Sequence, residues 1–312
     1  MNQKVPSPQE SLIERAAEVY DFQAALRAAG MARPLDPQAP IAQSAAPVFA
    51  PPAFAPTAAP LAARIVPHGN IVPIDLEMLR DAGMIVPGAP PSGLSEEFRL
   101  VKRQLLIPAI GGRKTAPIDK GRLILVCSAQ PNEGKTFCSV NLALSMASES
   151  DVEVLLVDAD VAKPEILSTL GLAGGPGLMD ALSDPSLRVE DLIIRTNIEG
   201  LSVLPAGRQT NNDTELLASD RTVDVINSLV AQNPRRIVLF DSAPALAASP
   251  ASVLALHVGQ ILLVVRADQT TESELRDALT LLAACPHVQL LLNGVTFSGT
   301  NRKFGSYYGF GE

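Results

Sequence analysis

Six short apolar runs, none of them alternating with polar residues, restrict this chain to few architectures. They are Leu123–Cys127, Val154–Val157, Leu201–Leu204, Ile237–Phe240, Ile261–Val265 and Val288–Leu292. A half-exposed strand alternates apolar and polar residues, whereas a strand covered on both faces is apolar throughout. Between the runs lie segments with helical spacing, among them Thr136–Ser148 and Glu272–Ala283. Upstream, Leu94, Phe98, Val101 and Leu105 fall on one helical face, with Glu96 and Glu97 in its first turn. Strands alternating with helices predict an α/β domain: a mostly parallel sheet with helices on both faces. Apolar residues form 47% of the 312-residue chain, enough to fill such a core.

Proline marks where that domain begins. Of 26 prolines, 17 precede residue 121, and Ala or Pro occupies 20 of the 32 positions from Ala32 to Ala63. Pro removes backbone donors and Ala offers little surface to bury, so this stretch reads as an extended linker. The expected division is a helical segment over 1–30, a largely disordered linker over 31–92, a domain over 93–300 and a flexible tail over 301–312. In the first segment, Leu12, Ile13, Ala16, Ala17, Tyr20, Ala24 and Leu26 make an apolar stripe along Ser11–Ala29. Either a docking helix or a partly formed helix without a partner accounts for it.

Directly after the first buried strand comes Ser128-Ala129-Gln130-Pro131-Asn132-Glu133-Gly134-Lys135-Thr136, which opens a helix. Strand, loop and helix in that order are the setting of a P-loop. Backbone N–H groups at the helix start cradle polyphosphate, the Lys135 ammonium bridges the outer phosphates, and the Thr136 hydroxyl ligates Mg²⁺. The usual first glycine of the motif is Ala129 here. Three carboxylates, Asp158, Asp160 and Asp241, follow apolar runs and so fall at the C-terminal ends of strands, where open α/β sheets bind ligands. Carboxylates placed there hold Mg²⁺ or accept a proton from an attacking hydroxyl. Helix capping and tight turns are the structural alternative for Asp160 and Asp241.

Charge and cysteine content narrow the function further. A net charge of −8, no cluster of Lys or Arg, and no Trp argue against a nucleic-acid partner. Three cysteines at no metal-like spacing suit a reducing compartment. No apolar run approaches the ~20 residues of a membrane helix, and no signal-peptide core is recognisable, so a soluble intracellular protein is expected.

From Leu94 onward the chain resembles the bacterial tyrosine autokinases of capsule and exopolysaccharide loci, and within them the subgroup of exosortase/PEP-CTERM (XrtA-associated) loci. The resemblance rests on several motifs. Pro131-Asn132-Glu133-Gly134-Lys135-Thr136 is similar to the family's Pro-Gly-Glu-Gly-Lys-Ser/Thr. Asp158-Ala159-Asp160-Val161-Ala162-Lys163-Pro164 is similar to Asp-x-Asp-x-Arg-x-Pro, with Ala162 where Arg is frequent. Asp241-Ser242-Ala243-Pro244 resembles Asp-x-Pro-Pro, and Leu204-Pro205-Ala206-Gly207 followed by Glu215-Leu216-Leu217 is also family-like. Ser11-Leu12-Ile13-Glu14-Arg15-Ala16-Ala17 resembles the opening of that subgroup.

The resemblance implies a P-loop NTPase fold and an ATP- and Mg²⁺-dependent protein-tyrosine autokinase that regulates exopolysaccharide synthesis or export. ATP would be held by Pro131, Asn132, Glu133, Gly134, Lys135, Thr136, Phe137 and Asn293. Mg²⁺ would be held by Thr136, Asp158 and Asp241, and catalysis would rest on Lys135, Asp158 and Asp160. Glu96, Arg99 and Lys102 resemble the family's subunit contact, which implies a homo-oligomer. A membrane chain-length (polysaccharide co-polymerase) protein would be the activator and a cognate tyrosine phosphatase the antagonist. Together these place the protein in the cytoplasm, held at the inner membrane through a partner. Two of the three tyrosines, Tyr307 and Tyr308, are adjacent and glycine-flanked near the C-terminus, and are the expected phosphoacceptors. Two other readings share the P-loop: a partitioning or site-selection ATPase switch, which typically has a Lys where Gln130 stands, and a nucleotide-binding pseudokinase.

Overall fold

The computed structural model describes residues 71–295 apart from 113 and 232. The Ser11–Ala29 helix, most of the expected linker, and Tyr307 and Tyr308 lie outside the described residues. Eight strands form one sheet: β1 (Ile71–Val72), β2 (Leu123–Ser128), β3 (Glu153–Ala159), β4 (Ile194–Thr196), β5 (Leu201–Leu204), β6 (Arg236–Ser242), β7 (Gln260–Arg266) and β8 (Val288–Asn293). Their spatial order is β1-β4-β5-β3-β6-β2-β7-β8. The six strands from β5 to β8 in that order are parallel; β4 runs antiparallel to β5, and β1 pairs in parallel with β4. The six apolar runs are β2, β3, β5, β6, β7 and β8; the central β2 and β6 are buried at every position, whereas the edge strand β8 leaves Leu290 and Leu292 more than half exposed and so is not covered on both faces as its apolar run predicts.

The helices are α1 (Leu76–Asp81), α2 (Gly93–Ile110), α3 (Lys135–Ala147), α4 (Ile166–Thr169), α5 (Leu178–Ser183), α6 (Asp213–Leu217), α7 (Asp220–Ala231), α8 (Pro250–Leu254) and α9 (Glu272–Leu281). They cover both faces of the sheet. Leu79, Phe98, Leu105, Leu142 and Leu144 of α1, α2 and α3 pack on one face against Ile124, Val126, Leu156 and Leu239. Leu178, Val225, Leu229, Leu254 and Ala278 of α5, α7, α8 and α9 pack on the other against Leu125, Val157, Phe240 and Leu263. Local signals fix the helix starts. Ser92 and Ser95 form a reciprocal capping box on α2, and Thr271 and Glu274 form one on α9.

The expected linker does not extend to residue 92. Within its last part, β1 adds to the sheet edge and α1 buries Leu79 completely. Pro73, Pro87, Pro90 and Pro91 give this segment a linker-like composition, yet Ile74 and Leu79 carry enough apolar surface to dock it on the core.

Candidate nucleotide and phosphoryl-transfer site

The site forms where β2 meets α3. Gly134 precedes α3 with φ +91°, a left-handed conformation that suits glycine, and a Cβ there would collide with the Asn293 side-chain amide. Asn132 also adopts positive φ, at 65°. No side chain caps the start of α3, so its first N–H groups are left for an anion. Lys135 begins the helix, and its Nζ lies 2.9 Å from Asp160 Oδ2.

The acidic strand ends converge on the same place. In the β3–β6 pairing, Asp158 is the register partner of Asp241, so both carboxyls leave the sheet on one face. Asp158 Oδ2 accepts from the Ile166 N–H at 3.1 Å, and Asp241 Oδ1 accepts from the Ser139 hydroxyl at 2.9 Å. The second oxygen of each, Asp158 Oδ1 and Asp241 Oδ2, is buried without a hydrogen-bond partner. Burial, then the neighbouring Asp241 charge, pushes the Asp158 carboxyl up to about 7, against the pull of the Ile166 and Asp160 backbone groups. Burial also pushes Asp241 up to about 6, opposed by the Thr136 hydroxyl, the Lys135 ammonium and the Ser139 hydroxyl.

Two orphaned carboxylate oxygens beside the Thr136 hydroxyl are a hard-oxygen donor set that fits Mg²⁺. Among the described residues no group of three or more His, Cys, Asp or Glu is placed to hold a metal. Phosphate oxygens would therefore complete the coordination, as is usual for Mg²⁺.

A cavity of about 600 Å³ opens over this floor. Pro131, Asn132, Gly134, Lys135, Thr136 and Phe137 line it, together with Asp160 and Lys163. Asp158 and Asp241 lie beneath, 0% and 1% exposed. Met84, Ala162, Ala243, Pro244, Ala247 and Ala248 supply an apolar wall. Asn293 lines a neighbouring hollow of about 390 Å³ with Phe137, Leu94 and Phe98.

Two residues expected to touch nucleotide are engaged in holding the loop. Glu133 is buried; its carboxylate accepts from the Gln130 N–H at 2.9 Å and from the Thr270 hydroxyl. Asn293 Nδ2 donates to the Glu133 carbonyl at 2.9 Å. Gln130 itself is tied to Glu274 at the start of α9. The loop is thus fastened from α9 and β8, a role that no local motif announces. Asn141 is the other residue that sequence reasoning passed over, although a polar residue inside the apolar stretch of α3 was a visible signal.

The expected subunit contact also divides. Arg99 pairs with Glu96 on the open side of α2. Lys102 is buried: its Nζ donates to the Ser145 carbonyl at 2.8 Å and sits 2.6 Å from Glu149. It satisfies the C-terminal end of α3 within its own chain, where a cation meets unpaired carbonyls and the negative end of the helix dipole. Lys102 therefore does not face outward as a subunit contact.

A P-loop entering a helix whose first N–H groups are uncapped, beside acidic strand ends on a mostly parallel sheet, defines a P-loop NTPase fold. No protein-family model matches the chain. Among individual proteins, it is 32% identical to EpsB of Ralstonia nicotianae over 192 residues, covering 60% of this chain and 25% of EpsB. It is 29% identical to the tyrosine-protein kinase YwqD of Bacillus subtilis over 223 residues, covering 70% of this chain and 88% of YwqD. The solved BceF tyrosine kinase domain superposes with a TM-score of 0.56 at 26% identity, covering 70% of this chain and 90% of that domain. The chain spans about a quarter of the length of EpsB and most of the length of YwqD. Its relatives are bacterial tyrosine-protein kinases.

Proposed function

We propose that this protein is an ATP-dependent protein-tyrosine autokinase. The observation that carries the reading is the pair of orphaned carboxylate oxygens beneath Lys135 and Thr136, in a chain similar to tyrosine-protein kinases. Mg²⁺, when bound, neutralises charge on the phosphate oxygens. Asp158, Asp241 and Thr136 hold it, and the uncapped start of α3 binds the phosphates. Lys135 stabilises the charge of the transferred phosphoryl group. Asp160 lines the cavity and in this reading takes the proton from the tyrosine hydroxyl as the tyrosine oxygen bonds to the γ-phosphorus and the bond from that phosphorus to the departing ADP breaks.

The acceptors in this reading are Tyr307 and Tyr308, presented by a neighbouring copy. The homo-oligomer uses the open side of α2 around Glu96 and Arg99. A place in exopolysaccharide control follows in this reading from the motif resemblance described above. The XrtA-associated subgroup, a membrane co-polymerase activator that holds the protein at the inner membrane, and an opposing tyrosine phosphatase belong to the same proposal.

Incubation with γ-labelled ATP, Mg²⁺ and a membrane-protein activator tests it, followed by mass spectrometry. Label is expected on Tyr307 and Tyr308, to vanish in the Tyr307→Phe/Tyr308→Phe double variant, and to fall roughly 10³-fold or more in Lys135→Met. Release of inorganic phosphate with no phosphotyrosine would overturn the kinase reading in favour of an ATPase switch. Full label transfer in Lys135→Met would overturn the site.

A further inference from the structure

The wall of the cavity contains one residue that does not come from the strand–helix core. Met84 lines it from the segment that carries β1 and α1, ahead of the region carrying the recognisable motifs. That segment is held at both ends. Near β1, Asn197 accepts from the Ile74 N–H at 2.8 Å and its own N–H donates to the Val72 carbonyl. Beyond α1, the Ile85 N–H donates to Asn141 Oδ1 at 2.8 Å, while Asn141 Nδ2 donates to the Phe137 carbonyl at 2.8 Å. Asn141 is fully buried in α3, and asparagine is a poor residue for a helix interior. Both of its polar groups are used, one on the crossing segment and one on the first turn of α3. The residue after Met84 is thereby fixed to α3, and Met84 shares the cavity lining with Phe137 and with the loop that follows Asp160.

The cavity lining is mixed. Lys135, Thr136 and Asp160, with Lys163 and Glu165, are its polar and charged groups, while Met84, Phe137, Ala243, Pro244, Ala247 and Ala248 offer apolar surface that suits an apolar body. A tyrosine side chain has that division: a flat ring ending in a hydroxyl. A thioether against a ring edge is a favourable contact, and methionine adapts its shape to the ring.

We propose that Met84 is a specificity-determining residue, packing on the ring of the acceptor tyrosine while the hydroxyl reaches the polar floor. This rests on the tyrosine-kinase reading above. Asn141 is its positioning residue.

Steady-state kinetics on the full chain test it, with a synthetic peptide of residues 301–312 as acceptor and MgATP as donor. Met84→Ala is expected to raise KM for the peptide about five- to tenfold. KM for MgATP and the thermal midpoint should stay at wild-type values, and Met84→Leu should restore most of the peptide affinity. Asn141→Leu, which frees the Ile85 N–H, should raise KM for the peptide in the same direction. An unchanged peptide KM in Met84→Ala overturns the proposal. An equal rise in both KM values, or a fallen thermal midpoint, overturns it too, because Met84 would then serve only the fold. If the wild type binds MgATP but never phosphorylates the peptide, the kinase reading fails and this inference falls with it.

Discussion

Asp158 and Asp241 sit side by side at the ends of β3 and β6, each with one oxygen unpartnered. A fold does not gain stability from such a pair. An unfolded Asp loses its proton near 3.8, whereas Asp158 in the folded chain holds it to about 7. Between those values the folded state binds more protons than the unfolded state, so stability falls as pH rises through the window and levels off above it. The cost at pH 8 is roughly 2–4 kcal/mol at this site. Thermal melts without nucleotide or Mg²⁺ should therefore show a lower midpoint at pH 8 than at pH 5.5. Asp158→Asn should flatten that slope and raise the midpoint at pH 8, while abolishing any further rise on adding MgATP. Equal slopes in both proteins would mean that the carboxylate is not held at a cost. At this scale, Lys135, Thr136 and the three aspartates were legible because a motif and the ends of apolar runs marked them. Glu133 was marked by the same motif, but its loop-holding role was not, and Asn141 escaped altogether, since their partners Thr270 and Ile85 are 137 and 56 residues away in sequence.

Among the elements, α2 shows how one helix serves two purposes. Its inner side carries Phe98, Lys102 and Leu105, and its outer side carries Arg99 with Leu100 and Ile107, both about half exposed. Lys102 latches α2 to the end of α3, the helix that starts at the P-loop. Lys102→Met should cost ~1–3 kcal/mol in denaturant unfolding, because the Ser145 carbonyl loses its charged donor, keeping only the Ser148 hydroxyl, and Glu149 loses its ion pair. Arg99→Ala should leave that stability within ~0.5 kcal/mol but lower the mass found by light scattering, given an oligomeric wild type. A lower mass from a stably folded Lys102 variant, with none from Arg99→Ala, would reverse this division. Helical spacing located α2, α3 and α9, and unbroken apolar runs located six strands. The two-residue β1 and three-residue β4 escaped, being too short for any period to register. Helix α1 was hidden by the prolines around it.

For the molecule as a whole, the segment from β1 through Met84 belongs to the domain that the P-loop defines. A chain beginning at Arg64 should melt several degrees higher than one beginning at Gly93. The difference follows from burying Ile74 and Leu79, ~1.5–3 kcal/mol each. Equal midpoints for the two truncations would show that the segment rides on the domain without supporting it. Fold class was legible at this scale because parallel, doubly covered strands have a distinctive spelling. The domain's starting point was not, because composition outweighed a handful of buried side chains.

The strand order also dictates when the site comes into being. The central strand β2 lies between β6 and β7, which follow it by more than a hundred residues, and β8 completes the edge beyond. On a translating ribosome the P-loop emerges early but stays without its neighbours until the chain has lengthened past Asn293. Asp241, Thr270 and Asn293 arrive in turn, and the last two fasten the phosphate loop. A nascent chain therefore lacks the last tie on its phosphate loop until Asn293 has been made, and Tyr307 and Tyr308 follow 14 and 15 residues later.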